Sequence, residues 1–233
     1  MRFERSIVWT KERNMQTIKN RQYPRYVISS IITCLLMVFA SSSASAQGAA
    51  EIWLNKVTEK LQNKGTEIIF RINEEGIRIN GKLLMDGEKF AYDTEDMKIW
   101  YDGTTQWTLQ QGGGYNELYI NNPTIEEQQS INPYLLLSSY KENFTATDGG
   151  EKIHNGKPVH LVTLNANNKG EEEVSVNVYI NSDNSLAALE FSSSSDFSYK
   201  IEIRSMRNGL TFPKDTFAYP EKEYPADEVI DMR

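Results

Sequence analysis

Residues 81–137 read GKLLMDGEKFAYDTEDMKIWYDGTTQWTLQQGGGYNELYINNPTIEEQQSINPYLLL. Short runs of aromatic and aliphatic residues alternate here with two turn pairs, Asp86-Gly87 and Asp102-Gly103. Because Asp-Gly readily adopts the positive φ angles of a type I′ turn, such pairs between apolar runs are a strong sign of β-hairpins. We therefore predict an antiparallel sheet over most of this segment.

Helices are predicted at three places. Residues 48–63 carry apolar side chains largely on one face, which is typical of an amphipathic helix. Thr124 or Asn122 can cap a short second helix. A third helix is predicted over residues 134–137, because Pro133 before them suits the first turn of a helix.

The rest of the chain follows strand periodicity. Apolar and polar residues alternate, as in antiparallel strands that bury one face, along 66–72, 77–81, 144–146, 159–164, 174–180, 186–191 and 197–203. We therefore predict one mainly β domain of the α+β class. Its antiparallel sheet is expected to be strongly bent, with the helices 48–63 and 134–137 on the concave side.

The N-terminal segment has the features of a secretory signal peptide. Seven basic residues precede an apolar run over residues 26–40, and Ala44-Ser45-Ala46 forms a cleavage pattern of small residues. We expect residues 1–46 to be removed and residues 47–233 to form the exported domain; translation from Met15 would preserve these features. A membrane anchor is disfavoured because the run is shorter than the roughly 20 residues that a spanning helix needs.

The single cysteine, Cys34, lies inside this apolar run. Thr33 precedes it, which is a poor context for lipid attachment, so we expect Cys34 to leave with the signal peptide. The exported domain would then have no disulfide. Such a domain is compatible with a bacterial periplasm.

The charge of the exported domain disfavours two classes of partner. The full chain has 25 Lys and Arg and 32 Asp and Glu residues. Residues 1–46 contain seven of the basic residues and two of the acidic ones, so the exported domain keeps 18 and 30 and carries a net charge of −12. Because nucleic acid and anionic lipid surfaces repel such a domain, we expect neither as a partner.

The residue types give no indication of catalysis, a metal or a cofactor. His154 and His160 lack the accompanying ligand spacing of a zinc site. The serine run 192–195 lacks the Gly-x-Ser-x-Gly elbow of many hydrolases. No Lys-Ser or Lys-Thr follows Gly112-Gly113-Gly114 to form a phosphate loop. We therefore expect a protein that is not an enzyme and needs no cofactor.

The central segment instead indicates a large apolar surface. Its aromatic residues are dense: Phe90, Tyr92, Trp100, Tyr101, Trp107, Tyr119 and Tyr134. They fit either an ordinary hydrophobic core or a pocket for acyl chains. Composition by itself favours the core.

The order and spacing of these pieces resemble the LolA-like lipoprotein carriers. The resemblance is carried by Gly81-Lys82-Leu83, Lys89-Phe90-Ala91-Tyr92, Trp100-Tyr101-Asp102-Gly103, Gln106-Trp107 and Pro133-Tyr134-Leu135-Leu136. It covers most of the exported domain, through residue 231. It implies a half-open barrel with helices as a lid on the concave face.

The resemblance also implies which residues contact acyl chains. The expected lining residues are Leu83, Met85, Phe90, Tyr92, Trp100, Trp107, Leu118, Ile120, Tyr134, Leu135 and Leu136. Ile52 and Trp53 are expected in the lid. Because neighbours in a strand point to opposite faces, only one of Trp100 and Tyr101 can line the cavity. Residues two apart share a face, which pairs Leu83 with Met85 and Leu118 with Ile120.

As a function, the resemblance implies a periplasmic carrier that shields lipoprotein acyl chains and moves them from the inner to the outer membrane. Its expected partners are those chains, an inner-membrane lipoprotein-releasing transporter and an outer-membrane acceptor, and a monomer is expected. Two alternatives stay open: a binding module or sensor of the same fold for another amphiphile, and, less favoured, an envelope hydrolase.

One position departs from the family. Well-known members have an Arg-Pro pair in the turn before the aromatic strand, and its arginine holds the lid closed. Here the corresponding turn reads Asp86-Gly87. A latch is therefore absent or is built differently.

Overall fold

The computed structural model describes residues 42–62, 65–74, 76–129, 131–167, 174–194 and 198–233. The predicted signal peptide lies outside these residues except for its last part, from Ser42, which is helical. Within the described ranges, none of the helices has the length and hydrophobicity needed to span a membrane.

Three of the four helices in the described residues lie where the sequence predicts them, and the short last helix is an addition. The four helices are α1 (Ser42–Gln62), α2 (Ile125–Gln129), α3 (Pro133–Ser138) and α4 (Tyr140–Asn143). Helix α1 begins at Ser42 rather than at Gly48, since the alanines before Gly48 also favour helix. Helix α2 begins with a capping box, in which the Thr124 hydroxyl accepts from the Glu127 N–H at 3.3 Å and the Glu127 carboxylate accepts from the Thr124 N–H at 2.8 Å.

In the part of the chain that the structure describes, twelve strands form one open sheet. They are β1 (Thr66–Glu74), β2 (Ile77–Asp86), β3 (Lys89–Thr94), β4 (Met97–Tyr101), β5 (Gln106–Gly112), β6 (Tyr115–Asn121), β7 (Phe144–His154), β8 (Lys157–Ala166), β9 (Val174–Asn181), β10 (Leu186–Ser193), β11 (Ser198–Arg207) and β12 (Glu228–Asp231). Their order is β12-β6-β5-β4-β3-β2-β1-β11-β10-β9-β8-β7. Neighbouring strands are antiparallel except β12 and β6, so the predicted fold class is confirmed.

The turn types differ in detail from the prediction. A type I′ turn needs positive φ at both central residues. In the β2–β3 hairpin Asp86 pairs with Lys89, so Gly87 and Glu88 are central, and of these Gly87 has the positive φ, 64°. This is the Gly-first pattern of a type II′ turn. The β5–β6 hairpin has positive φ at both central residues, Gly113 at 63° and Gly114 at 80°.

The two faces of the sheet follow from its register, because residues paired across neighbouring strands point to the same side. One row runs through Met85, Phe90, Tyr101 and Gln106. Buried residues of this row pack with the helices, so we name this side the helix-covered face. The alternating row runs through Ala91, Trp100, Trp107 and Ile120. Part of the C-terminal segment after β11 packs on it, and we name this side the tail-covered face.

Candidate functional site

The helix-covered face has an apolar floor contributed by both halves of the sheet. Strands β1–β4 supply Ile68, Phe70, Ile72, Leu83, Met85, Phe90, Tyr92, Ile99 and Tyr101. Strands β8–β10 supply Val162, Leu164, Val176, Val178, Ile180, Leu186 and Leu189. All of these residues belong to one cluster, so the floor is a continuous apolar surface.

The helices occupy the space above this floor. Leu54 and Val57 of α1 have no exposed surface, and Leu136 and Leu137 of α3 are each 2% exposed. Each such side chain contributes about 1.5–3 kcal/mol when it is fully buried. The structure is therefore a closed arrangement, in which side chains of the helices cover the floor and a ligand has to displace them.

Polar contacts hold α1 in this position. The Thr58 hydroxyl donates to Leu54 O at 2.7 Å and lies 3.3 Å from Leu137 O on α3. Glu51 forms an ion pair with Lys141 of α4. These contacts are few and local, so the apolar side chains provide the larger part of the attachment.

The far end of α1 is tied to the β9–β10 turn. Lys60 Nζ lies 2.9 Å from Asp183 Oδ2 and donates to the Asp183 carbonyl oxygen at 2.8 Å. Hydrogen bonds from Ser185 and from Lys60 lower the pKa of Asp183 to about 2. The carboxylate therefore keeps its charge, and this contact, over most of the acidic range.

The two predicted lid residues have different environments. Trp53 stacks on His160 of β8, with ring centroids 4.3 Å apart and an angle of 17° between the rings. His160 Nε2 lies 2.6 Å from Asp148 Oδ1 on β7, so this histidine supports the contact between helix and sheet. Ile52 is 57% exposed. Its side of the helix therefore faces solvent, and its role in the lid stays a prediction.

A polar latch joins α3 to the β2–β3 turn. Asn132 has no exposed surface, and its Oδ1 accepts from the N–H of Tyr134 at 3.0 Å and of Leu135 at 3.4 Å. Its Nδ2 donates to the carbonyl oxygens of Gly87 and Glu88, each at 3.4 Å. The hydrogen-bond donor is therefore at the start of α3, and the acceptors are in the β2–β3 turn. This is the turn in which the resemblance implied an arginine.

The structure divides the eleven predicted lining residues between the two faces. Seven accompany the helices: Leu83, Met85, Phe90, Tyr92, Tyr134, Leu135 and Leu136, of which Leu135 is half-buried on α3 and is not a member of the apolar cluster. Four lie on the tail-covered face: Trp100, Trp107, Leu118 and Ile120. These four predicted lining residues do not lie on the helix-covered face, because alternation along β4–β6 points them to the other side.

Trp100 and Tyr101 point to opposite faces, as predicted, but the residue on the helix-covered face is Tyr101 and not Trp100. Tyr101 belongs to the floor, and Trp100 packs in the tail-covered cluster. The predicted pairs also hold, since Leu83 accompanies Met85. Leu118 and Ile120 likewise stay together. Sequence reasoning missed the β8–β10 half of the floor, although alternation along 174–180 was the signal that could have found it.

The tail-covered face is closed by aromatic contacts. Tyr219 and Tyr224 pack on Trp100, with ring centroids 5.4 and 5.8 Å away. Lys98 Nζ lies 5.1 Å from the centroid of the Tyr224 ring. These rings cover the apolar surface that Trp100, Trp107, Leu118 and Ile120 form.

Backbone hydrogen bonds then fix the tail at the edge of the sheet. The Asp227 N–H donates to Asn116 O at 2.9 Å, and the Met232 N–H donates to Ile120 O at 2.8 Å. Between them β12 pairs with β6 in parallel. This cover is part of the sheet, whereas α1 and α3 only lie on it.

An open depression of about 450 Å³ lies beside β2–β4. Its lining is largely polar and charged: Asn80, Gly81, Lys82, Asp93, Thr94, Glu95 and Lys98. None of its lining residues has a large apolar side chain, so the candidate site remains the helix-covered face.

Comparison with protein families gives a match to the family described as outer membrane lipoprotein carrier protein LolA, over residues 36–188. The chain belongs to this LolA family. The family includes lipoprotein carriers and related binding proteins rather than enzymes, and its LolA-like members are envelope proteins. A comparison with curated protein sequences finds no match.

Several solved structures resemble this chain at low sequence identity. An uncharacterized conserved protein from Thermus thermophilus is 10% identical, covers 78% of this chain and 99% of its own, and has a TM-score of 0.52. A LolA superfamily protein from Nitrosomonas europaea is 9% identical, with coverages of 73% and 97% and a TM-score of 0.37. LprF from Mycobacterium bovis is 10% identical, with coverages of 71% and 96% and a TM-score of 0.42.

Proposed function

We propose that this protein is a periplasmic carrier that shields the acyl chains of lipoproteins on its helix-covered face and moves them from the inner to the outer membrane. The observation that carries the proposal is the continuous apolar floor beneath helices that are held mainly by apolar side chains. Membership of the LolA family supports the choice of ligand.

The physical need for such a carrier follows from the cost of exposing acyl chains to water. Each buried methylene group contributes about 0.8 kcal/mol, so a lipid anchor with two or three chains does not leave a membrane unaided at a useful rate. A carrier has to bind these chains and also release them. Here Leu54, Val57, Leu136 and Leu137 compete with the ligand for the same floor, which keeps the net affinity moderate.

The proposed cycle starts from the closed arrangement. Acyl chains displace α1 and α3 and take over their contacts with the floor. In this step the hydrogen bonds of Asn132 to the β2–β3 turn and the Lys60–Asp183 ion pair lengthen or break, and they form again after release. Opening therefore costs free energy that the bound chains offset, and this couples delivery to closure of the lid.

The proposal includes processing and partners. Residues 1–46 are a signal peptide, and residues 47–233 act in the periplasm as a monomer. An inner-membrane lipoprotein-releasing transporter supplies the ligand, and an outer-membrane acceptor receives it. The net charge of −12 after processing disfavours anionic surfaces, which helps the carrier to stay in solution between membranes.

The direct test has an arm in the test tube and an arm in cells. A synthetic lipopeptide with a triacylated cysteine is titrated into the purified protein, and saturable binding at one molecule per chain is expected. Depletion of the protein in cells is expected to leave lipoproteins in the inner membrane. Saturable binding without any change in lipoprotein location would favour the alternative of a binding module or sensor for another amphiphile.

A further inference from the structure

The helix-covered face changes from apolar to polar at its β5–β6 side. Gln106 pairs with Tyr101, and Thr108 pairs with Ile99. Because Tyr101 and Ile99 belong to the floor, Gln106 and Thr108 continue the same face. The polar side comprises Gln106, Thr108, Gln110, Glu117, Tyr119 and Asn121, all of them partly exposed. We name these six residues the polar margin.

The position of the polar margin suits the head of an amphiphile. The apolar floor is covered by the helices, whereas the residues of the margin next to it are partly exposed. An acyl chain on the floor would therefore place its head group over β5 and β6. The polar margin contributes no side chain to the hydrophobic cluster of this face, which ends at Tyr101 on this side.

An unpartnered acceptor in the margin indicates the chemistry of that head group. Within the described residues, two buried side-chain oxygens have no hydrogen-bond partner, Gln106 Oε1 and Asn208 Oδ1. The Gln106 Nε2 donates to Thr108 Oγ1 at 3.2 Å, so the amide is oriented by its neighbour. A buried acceptor without a donor destabilises the state in which it is buried. An N–H or O–H donor of a ligand removes that destabilisation.

Helix α2 lies near this side of the floor in the closed arrangement. Gln128 of α2 is buried, and its side chain lies close to the hydroxyl of Tyr101, the residue paired with Gln106. Movement of α2 together with α3 would open the site around Gln106. The unsatisfied oxygen then favours a ligand-bound state over the empty closed one.

Charge in the margin distinguishes between classes of head group. Glu117 is the one charged residue among the six, and its Oε2 accepts from the Tyr119 hydroxyl at 2.6 Å. No cation among them can pair with a phosphate, so an anionic phospholipid head is disfavoured. The margin instead suits an uncharged group that donates hydrogen bonds.

We propose that the polar margin binds the peptide end of the lipidated cysteine, whose backbone N–H groups donate to Gln106 Oε1 and to neighbouring side-chain oxygens. This inference rests on the proposed carrier function and extends it. Under this proposal the protein recognises the acylated peptide and not only the acyl chains. Gln106 and Thr108 are the residues that determine this specificity.

The test compares three ligands that carry the same acyl chains. They are an uncharged lipopeptide whose cysteine carries the diacylglyceryl group and an acetylated amino terminus, a diacylglycerol without donors beyond its one hydroxyl, and a neutral galactosyl diacylglycerol. Each is titrated into the full chain and into its Gln106→Leu, Thr108→Val and Gln111→Leu variants. Gln111 is the matched control, because it lies on the same strand but alternates to the tail-covered face.

We expect Gln106→Leu to weaken binding of the lipopeptide about threefold to tenfold, as is typical for the loss of one hydrogen bond. Thr108→Val should weaken it in the same direction, and Gln111→Leu should leave it unchanged. Binding of diacylglycerol should not change in any variant. A smaller change with the galactolipid than with the lipopeptide is also expected.

Each contrary result has a separate meaning. If the wild type binds the ligands and Gln106→Leu weakens all of them equally or none, this inference is overturned while the carrier proposal stands. The inference is also overturned if the effect is confined to the galactolipid. If the wild type binds none of the three ligands, the carrier proposal itself fails, and this inference fails with it.

Discussion

Both faces of the sheet carry aromatic and aliphatic residues, but the two faces are covered in different ways. The helix-covered face lies under short helices joined by loops and fixed by side-chain contacts such as the Asn132 latch. The tail-covered face lies under a segment that ends as strand β12, paired with β6 by backbone hydrogen bonds. A sheet face with many apolar residues is therefore expected to be covered by another part of the chain, and the sequence indicates no more than that. The attachment of the cover decides whether that surface can open.

The largest expected effect comes from a buried charge on each face. Leu118 on the tail-covered face is 3% exposed, and Leu136 on α3 is 2% exposed. We expect Leu118→Asp to destabilise the fold by roughly 3–5 kcal/mol. The C-terminal segment is fixed to β6 by backbone hydrogen bonds, so the new carboxylate stays buried without water. Leu136→Asp should cost clearly less, because α3 can turn away from the floor.

Urea unfolding followed by circular dichroism measures both changes. Leu136→Asp should keep the strand signal of the wild type but bind a hydrophobic dye strongly, since the floor becomes exposed. An equal loss of stability in the two variants would mean that both covers are rigid core, and the contrast between the faces would disappear.

A smaller effect is expected from the latch. Asn132→Ala removes both the helix cap and the donor to the turn, whereas Asn132→Ser keeps a side-chain oxygen that can cap α3. Loss of the cap costs about 0.5–2 kcal/mol, and loss of the donor should speed lipopeptide binding several-fold in both variants. Stopped-flow binding and hydrogen exchange of residues 131–139 measure the two effects separately. Unchanged association rates in the serine variant would show that the contact with Gly87 and Glu88 does not control opening.

The tail-covered face provides the opposite case. Tyr224→Ala removes its ring contacts with Trp100 and Lys98. We expect a loss of about 1–2 kcal/mol of stability. The dissociation constant for the lipopeptide should stay at the wild-type value. A clear change in lipopeptide affinity would place ligand binding on this face and would contradict the separation of roles.

The smallest effect depends on pH. The folded-state pKa of Asp183 is lowered to about 2, so its contribution to stability is present above the unfolded-state value of about 3.9 and is lost as the pH falls toward 2. Asp183→Asn should therefore be slightly less stable than the wild type at pH 7, by less than about 1 kcal/mol because Asp183 is largely exposed. Denaturation curves at several pH values should show this difference shrinking between about pH 4 and pH 2. A difference that stays constant over that range would exclude the ion pair as its source.

The sequence predicts most of the fold, because hairpin signals and helix caps are local. The strands around Asp102-Gly103 and the cap at Asn132 could be predicted from neighbouring residues alone. Which of Trp100 and Tyr101 faces the helices could not be predicted, since both faces carry apolar rows. The decision depends on the tail, whose Tyr219 and Tyr224 are far away in sequence.

Other features of the site also depend on distant contacts. Strand β12 has too few residues for a strand signal, and its parallel pairing with β6 joins positions about a hundred residues apart. The two Nδ2 contacts of Asn132 with the β2–β3 turn are long-range in the same sense. The unpartnered oxygen of Gln106 is a property of the folded surroundings and leaves no mark in the local sequence.

The most direct test of the central claim uses the tryptophans as reporters of the two faces. Residues 47–233 contain three, Trp53, Trp100 and Trp107, so variants in which two are replaced by phenylalanine keep one reporter each. A lipopeptide with brominated acyl chains quenches a tryptophan that it contacts. We predict strong quenching of Trp53, which packs beside the floor, and little quenching of Trp100 or Trp107. Quenching of Trp100 and Trp107 with Trp53 unaffected would contradict the assignment of acyl chains to the helix-covered face.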